Sequence, residues 1–220
     1  MADVHAHHSK EQETPSRTNP TDPHEAMIAL REGNLRFAEG RVLHAHQAAD
    51  WRSHLTGGQQ PFATILSCSD SRVPPELVFD QGLGDLFVIR VAGNIIDADV
   101  VGSISYAVRH LKTRLVVVMG HEKCGAVTAA LQALHNPTNE GKYISELLHH
   151  IIPTVSSLDP EVYGAGLLEA AVEANVFNST KRLQQISLAA DAIEQNAVRI
   201  EAAVYELSTG RVRFLDRPAN

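Results

Sequence analysis

Two short apolar runs, FATILS (62–67) and LVVVM (115–119), limit what this chain can fold into. Both are nearly continuous in apolar side chains, and the second is strongly β-branched. Such runs form strands buried on both faces, as in a parallel sheet covered by helices. LFVIRVA (86–92) reads as a third strand. Helical periodicity occupies the segments between and around them. One such segment starts at Pro23, with Ala26, Ile28, Leu30, Leu35 and Phe37 on its apolar side and Asp22 as N-cap. Others cover Asp99–Leu111, Gly125–Leu134, 142–157 and 180–195, and Gly57-Gly58 breaks the chain before the first strand. Val198–Leu207, then Ser-Thr-Gly, then Arg211–Leu215 reads as a hairpin or as a strand with an extended tail. Strands alternating with helices predict an α/β fold, with a mostly parallel central sheet flanked by helices and an N-terminal helical arm.

The chain's 220 residues, 44% hydrophobic and 20% charged, suffice for one full core. We expect residues 1–22, which are polar and carry His5, His7 and His8, to be a flexible arm, and residues 23–220 to be a single catalytic domain. The net charge of −7 and the lack of a basic stripe argue against a nucleic-acid partner. No apolar run approaches the ~20 residues of a membrane span, so no membrane insertion is expected. The N-terminus has no apolar segment of the secretory kind, which points to a cytoplasmic protein or to one exported and already trimmed.

Only two cysteines are present, Cys68 and Cys124. They could form one disulfide, lie buried and inert, or act as thiolates. Their neighbours favour the last reading. Cys68-Ser69-Asp70-Ser71-Arg72 follows the first strand, and Gly120-His121-Glu122-Lys123-Cys124-Gly125 follows the 115–119 strand and opens a helix. Functional residues of open parallel sheets gather beyond the carboxyl ends of the strands, so the two clusters can converge. Two thiolates and an imidazole (Cys68, His121, Cys124) suit zinc. A catalytic site would keep a position open for water; a closed one would need a fourth ligand, for which Asp70 is the nearest candidate. Asp70 and Arg72 can also pair, leaving a fixed, ionised carboxylate to orient hydroxide; a plain surface salt bridge is the alternative. The helix start at Cys124 favours thiolate. Gly125 permits close approach to metal or substrate, or simply relieves a turn.

Together CSDSRV and GHEKCGAV resemble the signature of the beta-class carbonic anhydrases. The likeness extends through Gln59-Gln60-Pro61, VPPELVFDQGLGDLFVIRVAGN (73–94), GSISYAV (102–108) and, more weakly, VYELSTGRV (204–212). The resemblance implies zinc on Cys68, His121 and Cys124, an Asp70–Arg72 dyad, and a bicarbonate-placing glutamine at Gln59, with Gly125 after the second cysteine. It implies reversible hydration of CO₂ to bicarbonate and a proton by zinc-bound hydroxide. It also implies a homodimer or dimer of dimers, with N-terminal helices wrapping the neighbour and Gln59 reaching a site at the interface. Some members have a second, noncatalytic bicarbonate pocket with a Trp–Arg–Tyr set. Here Arg90 and Tyr205 match, but Ile65 stands at the tryptophan position.

Three rival readings share these residues: a COS or CS₂ hydrolase on the same scaffold, a non-catalytic zinc-stabilised module with a permanent fourth ligand, and a redox dithiol, which the missing Cys-x-x-Cys spacing disfavours. Gly93 and Asn94 are expected to shape the site wall, and Glu122 and Lys123 to face solvent or a rim rather than to do chemistry. His110, His135, His149 and His150 are expected on helix surfaces.

Overall fold

The computed structural model describes residues 19–136, 141–186 and 198–216. The expected arm up to position 18, and the 187–195 part of the helix expected at 180–195, lie outside the described residues.

Helix α1 (Pro23–Ala38) starts where its cap predicts: the Asp22 carboxylate accepts from the backbone N–H of His24 and Glu25 at 2.6 and 3.1 Å. Such a cap stabilises a helix by about 1 kcal/mol. Asn34 then fixes the helix to the body. Its amide donates to the carbonyls of Val78 and Gly210, and its oxygen accepts from Val212 N–H at 2.7 Å.

Strands β1 (Ala63–Ser67), β2 (Leu86–Arg90), β3 (Leu115–His121), β4 (Arg199–Tyr205) and β5 (Val212–Phe214) form one sheet in the order β2-β1-β3-β4-β5. The first four are parallel and β5 closes antiparallel on β4, so the expected hairpin is present. Every residue of β1 and β3 is buried, as their unbroken apolar runs require. The chain leaves β1 toward β2 on one side and returns to β3 on the other. That reversal is a topological switch point, where open α/β sheets place their sites.

Two expected boundaries move. The segment 86–92 ends as a strand at Arg90, and Ala92–Asn94 turns into a 3-10 stretch in which Gly93 has φ +70°. The helix expected over 142–157 is two helices, α6 (Lys142–His149) and α7 (Ile152–Val155). Pro153 has no N–H to give the His149 carbonyl, so the helix cannot continue through it. Helices α2 (Ala49–His54), α3 (Pro75–Val78), α4 (Ala98–His110), α5 (Gly125–His135) and α8 (Pro160–Tyr163) complete the set with α9 (Leu167–Gln185). α4 and α5 match their expected spans within a residue. α9 packs on β3 and β4; its Ala171, Val172, Val176 and Leu183 join the core cluster beside Val116, Val118 and Ile200. Each valine, leucine or isoleucine among them contributes about 1.5–3 kcal/mol when fully buried.

Candidate metal centre

The β1–β3 register sets Ser67 opposite Met119. Cys68 therefore leaves the end of β1 beside the last residues of β3. The histidine of the second cluster does not follow β3, as expected, but ends it: His121 is still paired in register with Tyr205. Its Nδ1 lies 2.8 Å from the Glu122 carbonyl oxygen. A carbonyl can only accept, so Nδ1 carries the proton and Nε2 keeps its lone pair. Lys123 then turns the chain through φ +52°, and Cys124 stands at the N-cap of α5.

Sγ of Cys68, a ring nitrogen of His121 and Sγ of Cys124 all lie within 4.8 Å of one another, and all three residues are buried. Both cysteines are free, which removes the disulfide reading. Of the two thiols, Cys68 is the one favoured as thiolate. The hydrogen bond from the Cys124 thiol lowers the Cys68 pKa, against burial, with the Gly93 N–H helping. Cys124, as donor, is pushed up by the same bond and by burial. His121 Nε2 is buried with no hydrogen-bond partner among the described residues. An unmet acceptor in an interior costs free energy. A divalent cation would satisfy that nitrogen and take the place of the proton between the sulfurs, and this donor set suits zinc.

Asp70 lies beside this group, not in it. Arg72 holds both carboxylate oxygens, with Nε to Oδ1 at 2.9 Å and Nη2 to Oδ2 at 2.7 Å, and its backbone N–H donates to Oδ1 at 2.9 Å. The side-chain bonds from Arg72 keep the Asp70 carboxyl well below the usual carboxylate range. Oδ2 approaches His121 Nε2 to 3.9 Å. The strand-end loop is held in turn by Arg90, whose Nε donates to the Cys68 carbonyl at 3.1 Å and Nη2 to the Asp70 carbonyl at 2.6 Å. Sequence reasoning missed this clamp, because nothing in the pattern marks a backbone carbonyl as a partner.

The other candidates separate. Gln59 is exposed and lines a 550 Å³ surface cavity with Trp51, His54 and Gly58, outside the cysteine–histidine group of its own chain. Gly125 is exposed, has no positive φ, and a Cβ built there meets nothing within 4 Å. Relief of a tight turn therefore does not explain it. Of the Trp–Arg–Tyr positions, Ile65 is sealed in the sheet, Arg90 is engaged as above, and Tyr205 is buried with its ring 6.4 Å from that of Phe37. Gly93 does form the site wall: its N–H points at Cys68 Sγ, 3.4 Å away. Lys123 is exposed as expected. Glu122 is half-buried at the rim: its carboxylate accepts from Leu207 and Ser208 N–H at 2.9 and 3.4 Å and ties the β4–β5 turn to the site. His110, His135 and His149 are exposed, and His150 is half-buried against Arg182.

The carbonic anhydrase family model matches residues 63–212, which contain both clusters and all five strands but the last two residues of β5. The chain belongs to the beta-carbonic anhydrase family. It is 41% identical over 201 residues to carbonic anhydrase 2 of Mycobacterium tuberculosis, covering 91% of this chain and 96% of that protein. A carbonic anhydrase of Mycolicibacterium smegmatis is 39% identical, with 88% and 94% covered. Among solved structures, a tetrameric beta-carbonic anhydrase from Sordaria macrospora superposes with a TM-score of 0.70 at 27% identity, covering 88% of this chain and 96% of that one. The Coccomyxa beta-carbonic anhydrase in complex with acetazolamide gives 0.71 at 26%, with 86% and 85% covered. Carbonic anhydrase is thus the enzyme class of the chain, and carbon dioxide hydration is the reaction that its family supports.

Proposed function

We propose that this carbonic anhydrase hydrates carbon dioxide reversibly at a zinc ion held by Cys68, His121 and Cys124, with Asp70 and Arg72 as an orienting dyad. The observation that carries this reading is the pairing of two facts: three ligand atoms within 4.8 Å, and a carboxylate beside them held at both oxygens by an arginine. Zinc in this set supplies a water of lowered pKa as nucleophile near neutral pH.

The protein's own groups do the rest. The Glu122 carbonyl fixes the His121 tautomer, so Nε2 always faces the metal position. Asp70, kept ionised by Arg72, accepts a hydrogen bond from the attacking O–H and so aims its lone pair at the carbon. Because both oxygens of Asp70 are engaged, the carboxylate is restrained from becoming a fourth ligand. Water and carbon dioxide give bicarbonate and a proton, and the proton leaves to solvent. Gly125 leaves open space at the first turn of α5, where a flat substrate can approach.

Gln59 acts on a second copy of the chain. Its exposure on a surface cavity, away from its own ligand set, supports a role across a dimer interface. Assembly as a dimer or dimer of dimers is in keeping with the tetrameric relative. No described helix is long and apolar enough to cross a membrane. A cytoplasmic setting, where thiols stay reduced, suits a site built on two free cysteines.

Stopped-flow CO₂ hydration by zinc-loaded protein across pH tests the proposal. Hydration that requires stoichiometric zinc is the expected result. Rapid turnover of COS or CS₂ with none of CO₂ would overturn it.

A further inference from the structure

The buried side of the metal centre contains a polar residue that packing does not explain. Asn175 lies in the middle of α9 and is 1% exposed. Its Nδ2 donates to the Gly93 carbonyl at 2.8 Å, while its Oδ1 has no partner among the described residues. Its neighbours in sequence on the same helix, Val172 and Val176, are apolar core. A leucine at 175 would spare the buried amide its unmet acceptor. What the amide gains is its hold on Gly93.

Gly93 is a constrained position. Its φ is +70°, and a Cβ there would meet Ile151 Cδ1 at 2.7 Å and Ala126 Cβ at 3.1 Å. The residue is thus walled on one side by α5 and Ile151 and tied on the other to α9. Its N–H, held in that orientation, donates to Cys68 Sγ at 3.4 Å. An N–H bond to a ligand sulfur withdraws charge from the thiolate, and so tunes how strongly the sulfur donates to a metal.

We propose that Asn175 is a positioning residue for the metal centre: by holding the Gly93 carbonyl it keeps the Gly93 N–H on the Cys68 sulfur. This rests on the zinc reading given above, and the test separates the two. Metal-free protein is loaded with cobalt, and the thiolate-to-cobalt charge-transfer bands are recorded together with zinc affinity by chelator competition. The comparison is between wild type, Asn175→Leu and Leu183→Ala. Leu183 is buried on the same helix, eight residues on, or about 12 Å along the axis. It touches neither Gly93 nor the ligand group in any bond described above.

Asn175→Leu is expected to shift the charge-transfer bands and to change zinc affinity about 10-fold or more. Leu183→Ala should lower thermal stability and leave both readouts unmoved. Asn175→Ala, which removes the donor without adding bulk, should behave like the leucine variant, and decides the matter if that variant does not fold. Unchanged bands and affinity in the Asn175 variants would overturn the inference, as would equal shifts in Leu183→Ala. Wild type without thiolate bands would instead overturn the ligand assignment itself.

Discussion

Arg72 grips both oxygens of Asp70, at 2.9 and 2.7 Å, while the same carboxylate stops 3.9 Å short of His121 Nε2. The pair is local in sequence and largely decided by it. Asp70 is followed two residues later by an arginine, and the backbone N–H of that arginine closes the turn on Oδ1. The turn brings the guanidinium and the carboxylate together in a bidentate arrangement, which lysine cannot make.

Arg72→Ala should release Asp70 toward the metal. We expect zinc content to stay at one per chain while CO₂ hydration falls at least about 10-fold, the loss of one charge-assisted hydrogen bond being worth about 1.5–3 kcal/mol. X-ray absorption should gain an oxygen ligand. Arg72→Lys should restore only part of the rate. A fully active alanine variant would remove the dyad from the mechanism.

The same contact sets a pH dependence of stability. The Asp70 carboxyl is depressed by Arg72 below the roughly 3.9 of an unfolded aspartate. Its contribution is therefore fully present above about pH 4 and lost as pH falls through the folded value. In metal-free protein, the urea midpoint of wild type minus that of Asp70→Asn should be constant from pH 5 to 8 and shrink on further acidification. The difference should be small, because the Arg72 side chain is half exposed. A gap that widens below pH 4 has the wrong sign for this account.

Replacing Cys68, His121 or Cys124 with alanine should abolish zinc binding and hydration together. Each change removes one donor of three and leaves a buried group unmet. Metal analysis of purified protein checks this directly. One full equivalent of zinc in Cys124→Ala would show that the ligand set is wrong.

How much of this was legible beforehand follows from the range of the interactions. The unbroken apolar runs at β1 and β3 announced buried parallel strands, and the cysteine and histidine clusters at their ends announced the group of three side chains that meets there. Asp22 announced the start of α1. Interactions made through backbone carbonyls left no mark in the sequence. Arg90 serves Cys68 and Asp70 across 20 or more residues, and Asn175 serves Gly93 across 82, each through a main-chain oxygen. Most of α9 was overlooked for a related reason. Its buried face mixes Asn175, Ser179 and Thr180 with Val172 and Val176, which blurs the apolar stripe. The turn at His150 was hidden because the apolar periodicity runs on through Pro153.

Gly125 offers the sharpest separation of structure from chemistry. It opens α5 with ordinary φ, and apart from its chain neighbours and the helix's own backbone no atom lies within 4 Å of where a Cβ would sit. Alanine there should be accepted by the fold, and by helix propensity it should even stabilise, by at most about 1 kcal/mol. If the space beside Cys124 is kept open for substrate, the added methyl group intrudes on it. Gly125→Ala should then keep zinc and thermal stability while its kcat/KM for CO₂ falls severalfold. A melting curve and stopped-flow hydration on the same preparation are sufficient. Unchanged kinetics with unchanged stability would mean that the open space serves no step of the reaction.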